Sequence, residues 1–101
     1  MKKPELIELA SHIADARQMA VQAVLGVEDD GTCNMDTLIL DIPGTRLKTL
    51  EDLGVSCYRL RSYVAISSYF GQANRQTKGV TAMRDHLAAQ GYNASIWYQT
   101  D

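Results

Sequence analysis

The chain contains few of the residues from which specialised frameworks are built. Its 101 residues include two Cys, two Pro, two His, one Phe and one Trp. Cys33 and Cys57 stand in no CxxC or Cys/His spacing, so we expect two reduced thiols rather than a disulfide or a zinc finger. The apolar fraction of 46% and the length predict one globular domain over residues 1–101.

Long apolar runs are also absent. No stretch approaches the 18 residues of a transmembrane helix, so no membrane association is expected. Glu5, Glu8, His12 and Asp15 interrupt any apolar segment behind the first two lysines. No secretory signal is therefore predicted, and the expected location is the cytoplasm.

Signatures of catalysis or cofactor binding are missing as well. His12 and His86 fall on predicted helices, and neither has a carboxylate or thiol at a known family spacing. Gly71, Gly79 and Gly91 form no phosphate-loop pattern. An acidic loop is predicted over 27–35, and in it a glycine follows three adjacent acids, which does not fit a calcium loop. We predict no enzyme activity, no catalytic residue, no metal and no cofactor.

Acidic residues are lacking in one long segment. None occurs from Leu53 to Arg84, although the chain holds 12 Asp and Glu. The part before Pro43 carries three basic and eight acidic residues, a formal charge of −5, and the rest carries +3. Arginines and tyrosines alternate within the acid-free segment, and this composition is typical of a surface that meets an anion.

The acid-free segment supplies the candidate partner-binding residues. They are Tyr58, Arg59, Arg61, Tyr63, Tyr69, Arg75 and Lys78. We expect Arg59 and Arg61 on one face of a strand, and Arg75 and Lys78 near a helix start, where backbone N–H groups attract anions. The alternative interpretation is a merely solvated face on which arginine stems cover apolar surface.

The spacing of apolar residues predicts an α+β fold. Expected elements are a helix over 4–25, a strand over 37–42, a helical turn over 45–53, strands over 55–61 and 63–70, a helix over 77–90 with Thr77 as N-cap, and a strand over 93–99. The predicted buried set is Ile13, Leu40, Val64, Ile66, Met83, Leu87 and Ile96. The stripe Leu6, Leu9, Ile13, Ala16, Ala20 and Ala23 would pack on the sheet or meet a second copy in a homodimer.

The C-terminal part predicts a β-α-β unit whose two strands are parallel neighbours. The expected four-stranded sheet is therefore mixed. Along the chain the elements follow in the order α-β-β-β-α-β. From Tyr63 to Ile96 it is similar, at the level of fold, to one half of a peptidoglycan-binding SPOR domain. The segment from Thr45 to Tyr63, with Gly54-Val55-Ser56 at its centre, resembles a bacterial helix-turn-helix. That resemblance implies a second helix in the DNA major groove, with Tyr58, Arg59 and Ser62 toward the bases.

Two functions follow from these observations. The first is a non-catalytic interaction or regulatory protein, inhibitor-like, that binds an acidic protein or nucleoprotein through the basic, tyrosine-rich residues of 53–84. Small regulators of mobile elements are built in this way. The second is a nucleic-acid-binding protein that uses the helix-turn-helix-like segment 45–63 or a basic sheet face. The formal net charge of −2 disfavours the second, because phosphate binding depends on positive charge.

Overall fold

The computed structural model describes residues 1–28 and 35–98. Within these ranges the elements are α1 (Lys3–Ala23), β1 (Thr37–Leu40), α2 (Leu47–Asp52), β2 (Cys57–Leu60), β3 (Tyr63–Ile66), α3 (Ala73–Ala89) and β4 (Ala94–Trp97). No helix in the described ranges is long and apolar enough to cross a membrane. The predicted acidic loop lies mostly in 29–34, outside the described residues, as do Cys33 and Gln99.

Helix α1 begins at the predicted proline-containing turn. Pro4 occupies its first turn, and the backbone N–H of Lys2 donates to the Glu5 carboxylate at 2.9 Å, which satisfies one otherwise unpaired amide. The predicted apolar stripe is buried from Leu6 to Ala20, whereas Ala23 is exposed. The stripe therefore packs within the core of its own chain.

The four strands form one antiparallel sheet in the order β2-β3-β1-β4. The prediction of a mixed sheet is therefore wrong. Strands β3 and β4 do run in the same direction, but β1 lies between them and pairs with both. The apolar residues of β1 on both sides of the sheet suit this central position, which the order of elements along the chain does not reveal.

The strand order gives a known arrangement. From β1 to β4 the chain forms two split β-α-β units, the ferredoxin-like topology, with α2 and α3 as the crossover helices. Helix α1 precedes this unit and packs against α3. The result is a compact single α+β domain in which the helices lie on one face of the sheet.

The core lies between that helical layer and the inner face of the sheet. Leu38, Leu40, Val64 and Ile66 point to this side and are fully buried. Six of the seven residues predicted to be buried are so, and they are Ile13, Leu40, Val64, Ile66, Met83 and Leu87. Ile96 is half-buried because β4 is an edge strand.

Helix α3 starts four residues before the predicted position. Thr77 is not its N-cap, because the helix already begins at Ala73 and Gln72 occupies the cap. The chain turns sharply there, with positive φ values at Gly71 (130°) and Ala73 (48°). The Thr77 hydroxyl instead donates to the Asp36 carboxylate at 3.0 Å, a contact between distant parts of the chain.

Strands β2 and β3 form a hairpin, as the prediction of two strands in this stretch requires, although both are shorter than expected. Their turn is Arg61-Ser62, and Arg61 adopts the left-handed conformation with φ of 56°. Arg61 therefore does not share a strand face with Arg59. The helix-turn-helix interpretation is also wrong, because its second helix is replaced by β2, whose residues pair with β3.

Candidate functional site: the open sheet face and its end groove

The sheet has one face that no described helix covers. Cross-strand pairing places eight residues on this open sheet face, and they are Thr37, Ile39, Tyr58, Leu60, Tyr63, Ala65, Ser95 and Trp97. Ile39 and Ala65 at its centre are buried, whereas Tyr58 is 44% exposed. The open sheet face is therefore an aromatic surface around a small apolar centre, and no described part of the chain forms a second layer above it.

Arg61 reaches across this face from the hairpin turn. Its guanidinium carbon, Cζ, lies 5.6 Å from the ring centroid of Trp97 on the opposite edge strand. Such a cation–π contact holds the arginine over the sheet, where the residue remains exposed to solvent. Tyr63, Ile39 and Trp97 line a shallow depression of about 300 Å³ beside it, which Asp41 and Asn93 close at the end of β1.

The basic residues of the acid-free segment have different roles in the structure. Arg84 pairs with the adjacent Asp85 at 2.6 Å. Lys78 is exposed on α3, in the helical layer and therefore away from the open sheet face. Arg59 points to the helical side of the edge strand and donates to the Thr45 carbonyl at 3.1 Å. Arg61 is thus the member of this set that lies over the open sheet face.

Arg75 is a structural residue. Its Nη1 donates to the carbonyls of Val24 and Val27 at 2.9 and 2.8 Å, and its Nε donates to the carbonyl of Phe70 at 2.5 Å. The first two carbonyls lie just beyond the last turn of α1, where helices leave acceptors unsatisfied. Arg75 therefore fixes the end of α1 to the start of α3 and is not free to bind a partner.

The predicted tyrosines are brought to two neighbouring places. Tyr58 and Tyr63 lie on the open sheet face. Tyr69 lies beyond the end of β3 and is 71% exposed. Tyr58 and Tyr69 both line a groove of about 670 Å³ at this end of the sheet, which we call the end groove. The groove continues the open sheet face toward the helical layer.

Arg17 on α1 lines the end groove and was not predicted. Its Nη2 donates to the Ser67 carbonyl at 2.7 Å, and no carboxylate in the described parts of the chain pairs with it. Burial lowers the pKa of this guanidinium, which nevertheless stays charged at neutral pH. Sequence reasoning overlooked it because Arg17 lies outside the acid-free segment, beside the apolar stripe of α1.

The floor of the groove is tied together by Gln76, another residue that sequence reasoning did not identify. The side chain is 2% exposed, and its Oε1 accepts from the Phe70 N–H at 2.8 Å. Its Nε2 donates to the carbonyls of Asp36 and Ser68 at 2.8 and 3.2 Å. One amide thus joins the starts of β1 and α3 to the end of β3.

Away from the sheet face, the packing of α1 on α3 brings the two histidines together. The ring centroids of His12 and His86 are 6.4 Å apart, and the ligand atoms of His12, Asp15 and His86 all lie within 4.8 Å of one another. The sequence signal was His12 and Asp15 at a spacing of three, which places them on one side of a helix. Their proximity to His86 depends on tertiary packing.

Comparison with known proteins gives the chain no family. No protein-family model matches it, and no curated protein or solved structure matches it either. Because one fold can carry many functions, the basis for a functional proposal is the chemistry of the open sheet face and the end groove.

Proposed function

We propose that this protein is a non-catalytic interaction protein that binds an acidic segment of a partner protein across the open sheet face and regulates that partner by occupying its surface. The observation that carries the proposal is an aromatic sheet face that no helix of residues 1–28 and 35–98 covers, with Arg61 lying over Trp97. Tyrosine, tryptophan and arginine are the residues that contribute most to binding at protein interfaces.

Charge supports an acidic occupant. Strands β2 and β3 and their turn contain no carboxylate, and Arg61 forms no ion pair within the described ranges. A partner carboxylate can therefore approach the N–H groups of Arg61 without first displacing a carboxylate of this chain. The end groove adds a second cation, because Arg17 is likewise without a carboxylate partner there. Together they favour an extended acidic segment that runs from the hairpin turn to the groove.

In this arrangement only some of the predicted partner-binding residues contact the partner. Tyr58, Arg61, Tyr63 and Trp97 form its centre, and Arg17 and Tyr69 form the groove end. Arg75 serves the fold instead, and Lys78 lies in the helical layer. Arg59 contributes positive charge at the rim of the edge strand while holding the Thr45 loop.

The test is capture of partners from a cell extract by the immobilised protein, followed by affinity measurement on the purified pair. Arg61→Glu replaces a positive with a negative charge over the face, and Tyr58→Ala removes an exposed ring from it. Each should weaken binding about 30-fold or more, the effect of losing a contact worth about 2 kcal/mol. The matched control is Lys78→Glu, which makes the same change of charge in the helical layer and should leave affinity unchanged.

Two results would contradict the proposal. One is a captured partner whose affinity is equal for the parent and for Arg61→Glu and Tyr58→Ala. The other is a loss of binding with Lys78→Glu alone, which would place the interface on the helical layer. Thermal unfolding of each variant separates loss of contact from loss of structure. Arg61→Glu should cost the fold only about 0.5–1 kcal/mol, the value of an exposed cation–π contact.

A second candidate function is binding of single-stranded nucleic acid on the same face. The supporting observation is a four-stranded antiparallel sheet with helices behind it and Tyr63 and Trp97 on its free side, since RNA-binding modules stack bases on aromatic residues of such sheets. The formal net charge of −2 weighs against it. Fluorescence anisotropy with labelled single-stranded RNA and DNA across a salt gradient distinguishes the two functions, because an acidic-segment binder gives no saturable signal.

A further inference from the structure

We propose that His12, Asp15 and His86 form a binding site for a divalent first-row transition-metal ion, with Zn²⁺ as the probe, that links α1 to α3. One ligand atom from each of the three residues lies within 4.8 Å of the other two. Two imidazoles and one carboxylate form a ligand set that such ions bind, including zinc. The site is separate from the open sheet face, because both helices pack on the other side of the sheet.

The geometry requires only a small adjustment. Ligand atoms about 2.0–2.2 Å from a tetrahedral zinc ion lie roughly 3.3–3.6 Å apart. The separations of up to 4.8 Å must therefore shrink by about an ångström. Asp15 is exposed, and the His12 side chain retains 23% of its exposure, so rotation of these side chains can supply the movement without displacing either helix.

An unsatisfied nitrogen is the second observation. The Nε2 atom of His86 is buried and has no hydrogen-bond partner in the described structure. A buried polar atom without a partner costs free energy, and native structures normally provide one. Coordination through Nε2 would supply that partner, whereas the fold without an ion leaves it unpaired.

The surroundings also suit a cation. Glu8 lies one turn before His12, and its Oε1 is 3.7 Å from His12 Nε2, so it can act as a fourth ligand or as a hydrogen-bond acceptor for a ligating imidazole. Tyr92 contacts the His12 ring edge-on at a centroid distance of 5.6 Å and closes the site on one side.

Such an ion would clamp two helices that come from opposite ends of the chain. Three protein ligands would leave one position for water or for the Glu8 carboxylate. Because the ligands come together only in the folded chain, binding would stabilise the native state in proportion to the occupancy of the site. At a free Zn²⁺ concentration about 100 times the dissociation constant, the thermal midpoint should rise on the order of 10 °C.

The experiment uses the untagged, chelator-treated full chain titrated with Zn²⁺. Calorimetry should give one ion per chain, and the ring resonances of His12 and His86, the only two histidines, should shift together and saturate at one equivalent. His12→Gln and His86→Gln should each reduce affinity at least about 10-fold and abolish the rise in thermal midpoint. Asp15→Asn should weaken binding, and Asp52→Asn, the control on α2, should not.

Cysteine binding is the competing source of zinc affinity. Co²⁺ distinguishes it, because ligation by His and Asp gives no intense thiolate charge-transfer band in the near ultraviolet, whereas ligation by Cys33 or Cys57 does. Absence of stoichiometric binding, or binding that leaves the histidine resonances of the parent chain unmoved, would overturn the proposal. The resonance measurement needs no variant, so misfolding of a histidine variant cannot obscure the outcome.

Discussion

Gly79 offers a sharp test of packing in α3. It lies inside the helix, where Gly→Ala ordinarily stabilises by about 1 kcal/mol. Here an added Cβ would overlap the Cγ and Cδ2 atoms of the Phe70 ring and lie 2.9 Å from its Cβ. The Phe70 backbone is held on both sides, since its N–H donates to Gln76 and its carbonyl accepts from Arg75. The ring must therefore move while its backbone stays fixed.

The magnitude follows from the two opposing terms. Overpacking costs about 1–3 kcal/mol, and the gain in helix propensity offsets about 1 kcal/mol of it. We expect Gly79→Ala to lower the free energy of unfolding by up to about 2 kcal/mol. A loss of about 1–2 kcal/mol corresponds to a fall in thermal midpoint of roughly 4–16 °C. Urea denaturation and calorimetry measure both quantities.

The control is the same substitution with a smaller neighbour. In a Phe70→Ala background, Gly79→Ala should cost much less, or stabilise, because the Cγ and Cδ2 atoms that the new Cβ would overlap are absent. The coupling energy from this double-mutant cycle reports the overlap directly. If Gly79→Ala stabilises the parent chain by the full helix-propensity value, Phe70 does not press on this helix and the packing argument fails.

Four further expectations concern the interior. Gln76→Leu should destabilise by about 2–4 kcal/mol in urea denaturation, because it leaves a peptide N–H and two carbonyls without their partner. Gln76→Glu should be less destabilising at pH 4 than at pH 7. Burial beside carbonyls raises the folded-state pKa of the new carboxyl above its unfolded value of about 4.3. The loss of folding stability caused by ionising this carboxyl is therefore absent below that pH and grows as the pH rises. Leu87→Ala should cost about 2–5 kcal/mol by the same assay, since its side chain is fully buried, and a loss under about 1 kcal/mol would contradict that placement. Burial, with a further contribution from Glu51, raises the pKa of Cys57, so in a Cys33→Ser background its thiol should react with iodoacetamide at pH 8 more slowly than in the denatured chain; equal rates would contradict this.

The elements of this fold could be predicted from local patterns, but their pairing could not. The spacing of Leu6, Leu9 and Ile13 predicts α1, and that of Val80, Met83 and Leu87 predicts α3, because a helix repeats its face every three or four residues. The antiparallel sheet was not predicted, because the sequence of an apolar strand does not determine which strands pair with it. Strand β1 pairs with both β3 and β4, and its apolar residues on both faces suit an internal position without identifying the two strands that flank it.

The candidate sites were predictable only where the signal is local. The absence of acids around Arg61 is visible in the sequence, and the hairpin keeps that arginine beside Tyr63. By contrast, the capping role of Arg75 depends on carbonyls about 50 positions earlier in the chain. The approach of His12 to His86 likewise depends on the packing of α1 on α3, which residue spacing does not encode.

The packing of α1 against α3 affects when this domain can fold during its synthesis. Helix α1 is synthesised before α3, yet it buries its apolar side against that helix, and Arg75 secures the junction. Until residues near Ala89 have emerged, Leu9 and Ile13 have no final partner. Folding of this domain is therefore expected to wait for the synthesis of α3 and to be slowed by distant contacts, while α1 exposes an apolar side that chaperones can recognise.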